Sequence, residues 1–258
     1  MKIATWNINS LNIRKQHVLD WLEQSLTDIL CLQELKLTNE KFPYTDFKSA
    51  GYHCWFIGQK AYNGVAIIAR NTLSFNNFDV VQNIPGFFDL QQRLIAVTIN
   101  NIRIISAYFP NGQDQDSDKF IYKMKWISAL RVWLRNELLR YPKLALLGDY
   151  NIAPEDRDVH DISKWKYNNI ISPQERKHFD ELLHLGLIDI FRYFEQPKKL
   201  FTWWDYRMYA FRRNEGLRID HILLSPSLTK ICTACQVDLQ PRKWKKPSDH
   251  APVFAIIS

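Results

Sequence analysis

The sequence has few cysteines, no long apolar run and no segment that resembles a signal peptide. Four cysteines in 258 residues do not indicate a disulfide-stabilised extracellular domain. No stretch approaches the roughly 18 apolar residues that a membrane-spanning helix requires. The first residues also lack the charged and apolar regions of a secretory leader. These absences predict a soluble, cytoplasmic protein in a reducing compartment, with no membrane partner.

Low-complexity segments, Gly/Ser linkers and shifts in composition are also absent from the sequence. We therefore expect residues 1–258 to form a single domain, which is long enough to bury a sizeable core. Lys and Arg exceed Asp and Glu by seven, 34 against 27, which favours a polyanionic partner. Taken alone, the basic clusters at 212–213 and 242–246 are more typical of a solvated surface, so charge alone does not identify that partner.

Short apolar runs rich in Ile and Val dominate the sequence and predict β-strands. Several of them show no polar alternation, which is typical of strands covered on both faces. The predicted strands are Lys2–Trp6, Asp28–Leu32, Val65–Ala69, Leu94–Ile99, Ile102–Ala107, Lys143–Leu147, Ile219–Leu224 and Val253–Ile257.

Helices are predicted at three places between these strands. The clearest is Asp118–Arg140, where apolar residues recur at spacings of three and four and mark one buried stripe. The others lie at about Arg14–Gln24 and Pro173–Leu185. Strands alternate with helices early in the chain, but between residues 65 and 107 they follow one another directly. This mixture favours an α+β sandwich over a purely parallel sheet.

Six strand-like runs carry a polar residue at one end, where an apolar strand has no structural need of one. If these ends meet at one edge, they gather carboxylates, amides and an imidazole. Oxygen ligands of this kind suit Mg²⁺ or Mn²⁺ better than zinc. Taken singly, each residue is ordinary turn chemistry, but six together indicate a site. Its members would be Asn7, Glu34, Asp149, Asn151, Asp220, Asp249 and His250.

The chemistry of these side chains suggests a division of labour. Asp149 and Asn151 are two residues apart and would project to the same side of an extended strand. One can then take a proton from water while the other holds the nucleophile or a metal. His250 can stabilise charge on a phosphate, with Asp220 fixing its tautomer. Tyr108 can donate to a non-bridging phosphate oxygen.

Eight motifs in order along the chain resemble the exonuclease III family, the abasic endonuclease branch of the endonuclease/exonuclease/phosphatase superfamily. They lie at residues 5–10, 32–36, 62–67, 108–112, 148–154, 201–207, 216–221 and 247–252. The resemblance implies an α/β (α+β) four-layer sandwich of two packed mixed β-sheets flanked by helices. The active site would lie at one edge of the two sheets.

The resemblance also implies a role for each residue of the cluster. Asp149 would activate water and Asn151 would position it, while Tyr108 and His250 would stabilise the pentavalent phosphate and Asp220 would support His250. Glu34 would be the principal metal ligand, and Asp249 would contribute to a second metal position. The expected metal-site residues are Glu34, Asn7, Asp249, Asp149, Asn151 and His250.

DNA contacts are implied outside the catalytic cluster. Trp203 resembles the family residue that lines the pocket for a sugar without a base, although core packing would also suit it. Tyr206, Arg207 and Phe211 mix aromatic and cationic groups, which suits phosphate contacts and a wedge into a distorted duplex. Further candidates for phosphate contacts are Lys36, Arg93, Lys123 and Arg218.

The expected function is that of a Mg²⁺-dependent DNA-repair phosphodiesterase, with Mn²⁺ able to substitute. A monomer would act on double-stranded DNA at abasic sites and 3′ ends as abasic endonuclease, 3′ to 5′ exonuclease and 3′-phosphatase. One alternative is a specialised 3′-end-processing enzyme without abasic incision. Others are a lipid or inositol phosphate phosphodiesterase of the same superfamily and a nucleic-acid-binding module without catalysis.

Two further segments bear on these alternatives. Residues 155–172 follow the catalytic pair Asp149 and Asn151, and the resemblance implies that they help to select the DNA lesion. Their sequence does not reveal which lesion that is. Cys232 and Cys235 form a CxxC pair, but without a second pair or nearby histidines it is more typical of packing than of a zinc site.

Overall fold

The computed structural model describes residues 1–114, 117–165 and 168–258, and the Ile-rich and Val-rich runs within them form β-strands. The strands are β1 (Lys2–Asn7), β2 (Ile29–Gln33), β3 (Tyr52–Ile57), β4 (Val65–Arg70), β5 (Phe75–Gln82), β6 (Leu94–Ile99), β7 (Ile102–Tyr108), β8 (Leu144–Asp149), β9 (Ile188–Asp189), β10 (Asp220–Leu224), β11 (Cys232–Val237) and β12 (Val253–Ile257).

Hydrogen bonds divide these strands into two six-stranded mixed sheets. One sheet has the order β11-β12-β1-β2-β4-β3, and the other has the order β5-β6-β7-β8-β10-β9. The pairs β1 with β2 and β7 with β8 are parallel, whereas the other neighbouring pairs are antiparallel. Each parallel pair lies near the middle of its sheet, so both sheets have covered central strands.

Helices flank both sheets. Their bounds are α1 (Leu11–Ser25), α2 (Tyr44–Ser49), α3 (Asp118–Arg140), α4 (Ile162–Trp165), α5 (Pro173–Leu183), α6 (Ile190–Tyr193) and α7 (Pro226–Thr229). The hydroxyl of Ser117 accepts from Phe120 N at the start of α3, and Ser172 caps α5 in the same way before Pro173. No helix in the described ranges is both long and apolar enough to cross a membrane.

Apolar residues pack in three main layers around the two sheets. The inner faces meet in one cluster, to which β1 contributes Ile3 and β8 contributes Leu147. A second cluster packs α3 and α5 on one sheet, and a third packs α1 and α2 on the other. The layers therefore run helix, sheet, sheet, helix, as the predicted four-layer sandwich requires.

The sequence pattern missed four strands, all of them at or next to sheet edges or very short. β3, β5 and β11 are edge strands that lack a continuous apolar run, and β9 has only two residues. Cys232 and Cys235 lie on β11, are buried against the inter-sheet core and are not disulfide-bonded. Their burial favours the packing interpretation of the CxxC pair.

Gly148 allows the parallel pair β7 and β8 to approach closely near the end of β8. A Cβ atom at this position would lie 1.8 Å from the carbonyl oxygen of Ala107, which is far inside van der Waals contact. Gly148 is followed directly by Asp149, so a larger residue would displace the strand end that carries this carboxylate.

Candidate active site

Five strand ends and the segment before β12 meet at one edge of the sandwich. Asp149, at the end of β8, lies opposite both Tyr108 on β7 and Asp220 on β10. Asn7 ends β1 of the other sheet, and its Nδ2 donates to Asp149 Oδ2 at 2.9 Å. A hydrogen bond between side chains therefore joins the two sheets at the edge where the sequence placed the site.

Asn7 connects two carboxylates. Its Nδ2 also donates to Glu34 Oε1 at 2.9 Å. Its Oδ1 accepts from the backbone N–H of Asn9 at 3.0 Å, so the amide nitrogen has to face the carboxylates. The structure therefore gives Asn7 a bridging role beside the ligand role that the resemblance implies.

Tyr108 shares the same carboxylate oxygen. Its hydroxyl donates to Glu34 Oε1 at 2.8 Å. Burial, followed by the nearby Glu34 and Asp149 carboxylates, raises the pKa of Tyr108 well above its ordinary value. The hydroxyl therefore keeps its proton, and it can donate to a phosphate oxygen once it leaves Glu34.

Glu34 is held as a carboxylate in a strained position. Burial alone would raise its pKa, but Lys36 at 2.7 Å and the Asn7 hydrogen bond outweigh burial and lower the pKa. The backbone φ is +56° at Glu34 and +50° at Asn151, a left-handed conformation that non-glycine residues seldom adopt. Strain of this kind persists only where the surrounding structure enforces it.

His250 lies between two carboxylates. Its Nδ1 is 2.8 Å from Asp220 Oδ2, and its Nε2 is 3.8 Å from Asp149 Oδ2. Burial would lower the pKa of His250, but Asp220 and Asp149 outweigh burial and raise it, so the ring is cationic at neutral pH. Burial raises the pKa of Asp149, and His250 opposes that shift. A carboxylate with a raised pKa is a better proton acceptor for catalysis.

Asn151 is fixed by three hydrogen bonds. Its backbone N–H donates to Asp149 Oδ1 at 2.9 Å, and its Nδ2 donates to the carbonyl of Phe109 at 3.1 Å. Its Oδ1 accepts from Asn111 Nδ2 at 3.0 Å. The amide is thus oriented before any substrate arrives, as a residue that positions a nucleophile must be.

Asp249 lies on the other side of the cluster and has both carboxylate oxygens engaged. Asn9 Nδ2 donates to Oδ1 at 2.9 Å, and Trp203 Nε1 donates to Oδ2 at 3.0 Å. The Trp203 ring therefore has a fixed orientation relative to the catalytic edge.

The donor set fits a hard divalent cation. One ligand atom from each of Asp149, Asp220 and His250 lies within 4.8 Å of the others, and Asn7 ties Glu34 to Asp149. Asp220 Oδ1 is buried and has no hydrogen-bond partner among the described residues. His250 Nδ1 is already engaged by Asp220, so the carboxylates of Glu34 and Asp149 are the better first ligands.

A cavity of about 350 Å³ opens over this cluster. It is lined by Glu34, Asp149 and His250 and also by Trp165 and Trp203. The two indole rings are 6.0 Å apart at an interplanar angle of 84°. Charged groups and aromatic faces in one cavity suit a phosphate attached to a less polar group.

The predicted DNA contacts occupy different surroundings. Lys36 binds Glu34 and Asn9. Arg93 lines a separate cavity of about 510 Å³ next to Tyr108. Tyr206 and Arg207 are exposed at the rim, where Arg207 pairs with Asp205 at 2.6 Å. Phe211 packs edge-on against Trp204, which makes it part of the protein interior more than a wedge.

The prediction that Lys123 and Arg218 contact phosphates is wrong, because both side chains are fully buried. Lys123 Nζ lies 2.7 Å from Glu175 and donates to the Asn151 carbonyl at 2.8 Å. Arg218 binds both oxygens of Asp158, at 2.6 and 3.0 Å. It therefore anchors the start of segment 155–172 to the strand that carries Asp220.

Substituting Lys123 with methionine is expected to destabilise the protein by about 3 to 5 kcal/mol, because the Glu175 carboxylate would be left buried without a partner. Burial already raises the pKa of Glu175 to about 7. Urea unfolding of Lys123→Met and of the double variant Lys123→Met/Glu175→Met measures this cost. The double variant should recover part of the lost stability. Equal losses in the two proteins would show that the ion pair is not what makes Lys123 important.

The cluster also contains residues that the sequence did not single out. Asn9 and Asn111 lie inside the motifs at residues 5–10 and 108–112, in which only Asn7 and Tyr108 were assigned roles. Trp165 and Asp205 line the cavity, and Trp165 had no local signal beyond its place in segment 155–172. Lys166 and Tyr167 of that segment lie outside the described residues.

Comparison with known proteins places this geometry among nucleases. A sequence profile described as the Endonuclease/Exonuclease/phosphatase family matches residues 4–250. Exodeoxyribonuclease III of Haemophilus influenzae is 34% identical over 271 residues, covering 99% of this chain and 99% of its own.

Solved structures show the same fold over the full length. The 3′ phosphatase NExo from Neisseria, in a structure bound to a product DNA hairpin, is 46% identical with a TM-score of 0.96. The alignment covers 100% of this chain and 99% of the NExo chain. An AP endonuclease from Archaeoglobus fulgidus is 37% identical with a TM-score of 0.94, with coverages of 100% and 99%.

Proposed function

Because the chain belongs to the endonuclease/exonuclease/phosphatase family, and within it to the exonuclease III family, we propose that it is a Mg²⁺-dependent DNA-repair phosphodiesterase. It hydrolyses phosphodiester bonds of DNA. The relatives are named as an exodeoxyribonuclease, a 3′ phosphatase and an AP endonuclease, which leaves a lipid phosphate substrate and a purely binding role without support.

The observation that carries the proposal is the row formed by Asp149, His250 and Asp220. A buried carboxylate with a raised pKa lies beside an imidazolium that a second carboxylate holds. A proton acceptor and a cation would then line one cavity, as hydrolysis of a phosphate ester requires.

The reaction follows from these positions. Asp149 takes a proton from a water molecule that Asn151 orients, and the water adds to phosphorus. The bond from phosphorus to O3′ breaks, and O3′ takes up a proton from solvent to become a 3′-hydroxyl, while Asp149 returns its proton to solvent. His250 stabilises the charge that builds up on the non-bridging oxygens, and Tyr108 joins it by exchanging its Glu34 acceptor for the phosphate.

Glu34 and Asp149 would hold the cation, with Asn7 keeping them together and Asn151 beside them. Asp249 would contribute to a second position, and His250 would be the remaining residue of the metal site. A bound Mg²⁺ supplies charge neutralisation at the phosphate. Mn²⁺ should substitute, because both ions accept carboxylate oxygens.

Double-stranded DNA with abasic sites or 3′ ends is the proposed substrate, contacted by Lys36, Arg93, Tyr206 and Arg207, with the unpaired sugar against Trp203. The net charge of +7 supports a polyanionic partner. We further propose that the protein acts as a monomer in the cytoplasm, where its four free, buried cysteines remain reduced.

Cleavage of three end-labelled duplexes tests the proposal. They carry an internal abasic analogue, a 3′-phosphate at a nick and an undamaged recessed 3′ end, each assayed with Mg²⁺ and with EDTA. We expect metal-dependent cleavage of at least one duplex. Incision at the abasic analogue would show a general abasic endonuclease, whereas activity confined to 3′ ends would show a specialised end-processing enzyme. Cleavage that persists in EDTA, or no cleavage of any duplex, would contradict the proposal.

A further inference from the structure

A second cavity of about 360 Å³ adjoins the active-site cavity. The two cavities share four wall residues, Trp165, Trp203, Asp205 and Arg207. A group that extends from the catalytic edge past the two indole rings would therefore enter the second cavity, which we call the adjoining cavity.

The remaining walls of the adjoining cavity include Lys164, Met208, Ala210, Arg213 and Glu215. Its cations already have carboxylate partners. Glu215 lies 2.6 Å from Arg213 and 3.4 Å from Lys164, and Arg207 pairs with Asp205. A second phosphate would have to compete with these carboxylates. Apart from His160, whose Nε2 has no hydrogen-bond partner among the described residues, the unpaired surface is aromatic or apolar, which suits a flat, neutral group that stacks on an indole.

The proposed substrates differ in whether they carry such a group. In each of them the bond from phosphorus to O3′ breaks, and the retained strand ends in a hydroxyl. From an undamaged 3′ end, the departing phosphate carries a nucleoside with its base. From an internal abasic site it carries a sugar without a base, joined to the rest of the strand, and from a 3′-phosphate it carries nothing. Only the exonuclease reaction therefore has to accommodate a base beyond the phosphate.

We propose that the adjoining cavity is a nucleobase subsite that holds the base of the 3′-terminal nucleotide during exonucleolytic cleavage. This inference rests on the proposed function, because the base can reach the adjoining cavity only if the phosphate of the same nucleotide lies at Asp149 and its sugar lies against Trp203. The base stacks on the Trp165 indole, and the aliphatic parts of Lys164 and Met208 border its edge. The subsite adds binding energy for undamaged ends and adds none for base-free substrates.

A bulky residue at an exposed edge of the adjoining cavity tests the subsite. The Lys164 side chain is 55% exposed and lines this cavity but not the active-site cavity. Lys164→Trp should fill the space, while Lys230→Trp makes the same change at an exposed position that lines neither cavity. The measurement is kcat/KM on the recessed undamaged end divided by kcat/KM on the 3′-phosphate duplex.

We expect this ratio to fall at least about tenfold in Lys164→Trp, in keeping with the contribution of stacking one base on an aromatic ring, and to stay constant in Lys230→Trp. An unchanged ratio in Lys164→Trp would overturn the subsite. Failure of the unmodified protein to cleave any of the three duplexes would instead contradict the proposed function, so the two failures are distinguishable.

A measurement on the unmodified protein removes dependence on the folding of the variant. 2′-Deoxyadenosine 5′-monophosphate and 2-deoxyribose 5-phosphate differ only by the base, and both are tested as competitive inhibitors of cleavage of a base-free duplex. The inhibition constant of the nucleotide should be at least about tenfold lower than that of 2-deoxyribose 5-phosphate. Equal inhibition by the two compounds would overturn the subsite whatever the behaviour of Lys164→Trp.

Discussion

Replacing Asp149 with asparagine is expected to lower the rate of DNA cleavage by about a thousandfold or more while DNA binding stays within a few-fold of the original. Asparagine has nearly the same shape and can still accept from Asn7, but it cannot take a proton from water. Removal of a general base typically costs 10² to 10⁴ in rate. Asp149 is buried with 1% of its surface exposed, so the duplex loses no direct contact.

Single-turnover cleavage and fluorescence anisotropy with a labelled duplex measure the two effects separately. Asp180→Asn is the matched control, because Asp180 is exposed on α5 and lines neither the active-site cavity nor the adjoining cavity. The control should cleave normally. If Asp149→Asn retained cleavage within tenfold of the original, Asp149 would not be the group that activates water.

Replacing Glu34 with glutamine is expected to raise the Mg²⁺ concentration for half-maximal activity by about a hundredfold or more. The variant keeps an acceptor for Asn7 and Tyr108 but loses the anionic oxygen that lies 2.7 Å from Lys36. Hard cations depend on carboxylate charge. Mutating residues that only hydrogen-bond to metal ligands commonly costs 10- to 100-fold in metal affinity or activity, so loss of a ligand itself should cost at least as much.

Mg²⁺ titrations of activity and calorimetric titration with Mn²⁺ give two independent measurements. Glu40→Gln is the matched control, since Glu40 is exposed a few residues further along the same loop. An unchanged Mg²⁺ requirement in Glu34→Gln, together with unchanged Mn²⁺ binding, would show that the ligand set is wrong.

The sequence indicated the candidate active site because the polar residues of that site follow strand ends. A buried strand needs apolar residues on both faces, so an acid at its end, such as Asp149 after Leu144–Gly148, is conspicuous. The helix predicted at Asp118–Arg140 has the bounds of α3, because a long amphipathic stripe has few competing interpretations. The exonuclease III resemblance was carried by motifs at these same ends, and the comparisons support it.

Charge on a side chain, in contrast, does not tell whether that side chain reaches solvent. Lys123 and Arg218 look like surface cations in the sequence, yet each is buried against an acid distant in the chain, Glu175 and Asp158. Burying an ion is unfavourable unless a partner is supplied, and that partner is known only once the chain has folded.

The sequence by itself determined the mixture of strands and helices and the residue types at the strand ends, since hydrophobic periodicity and strand-end motifs are local properties. The resemblance carried by those motifs implied the family and the sandwich of two sheets. The tertiary structure decided which side chains touch. Only folding places Asn7 between Glu34 and Asp149, gives His250 two carboxylate neighbours and forms the adjoining cavity beside Trp165. These contacts join residues that are distant in sequence, and their geometry depends on how two sheets pack, which no local pattern encodes.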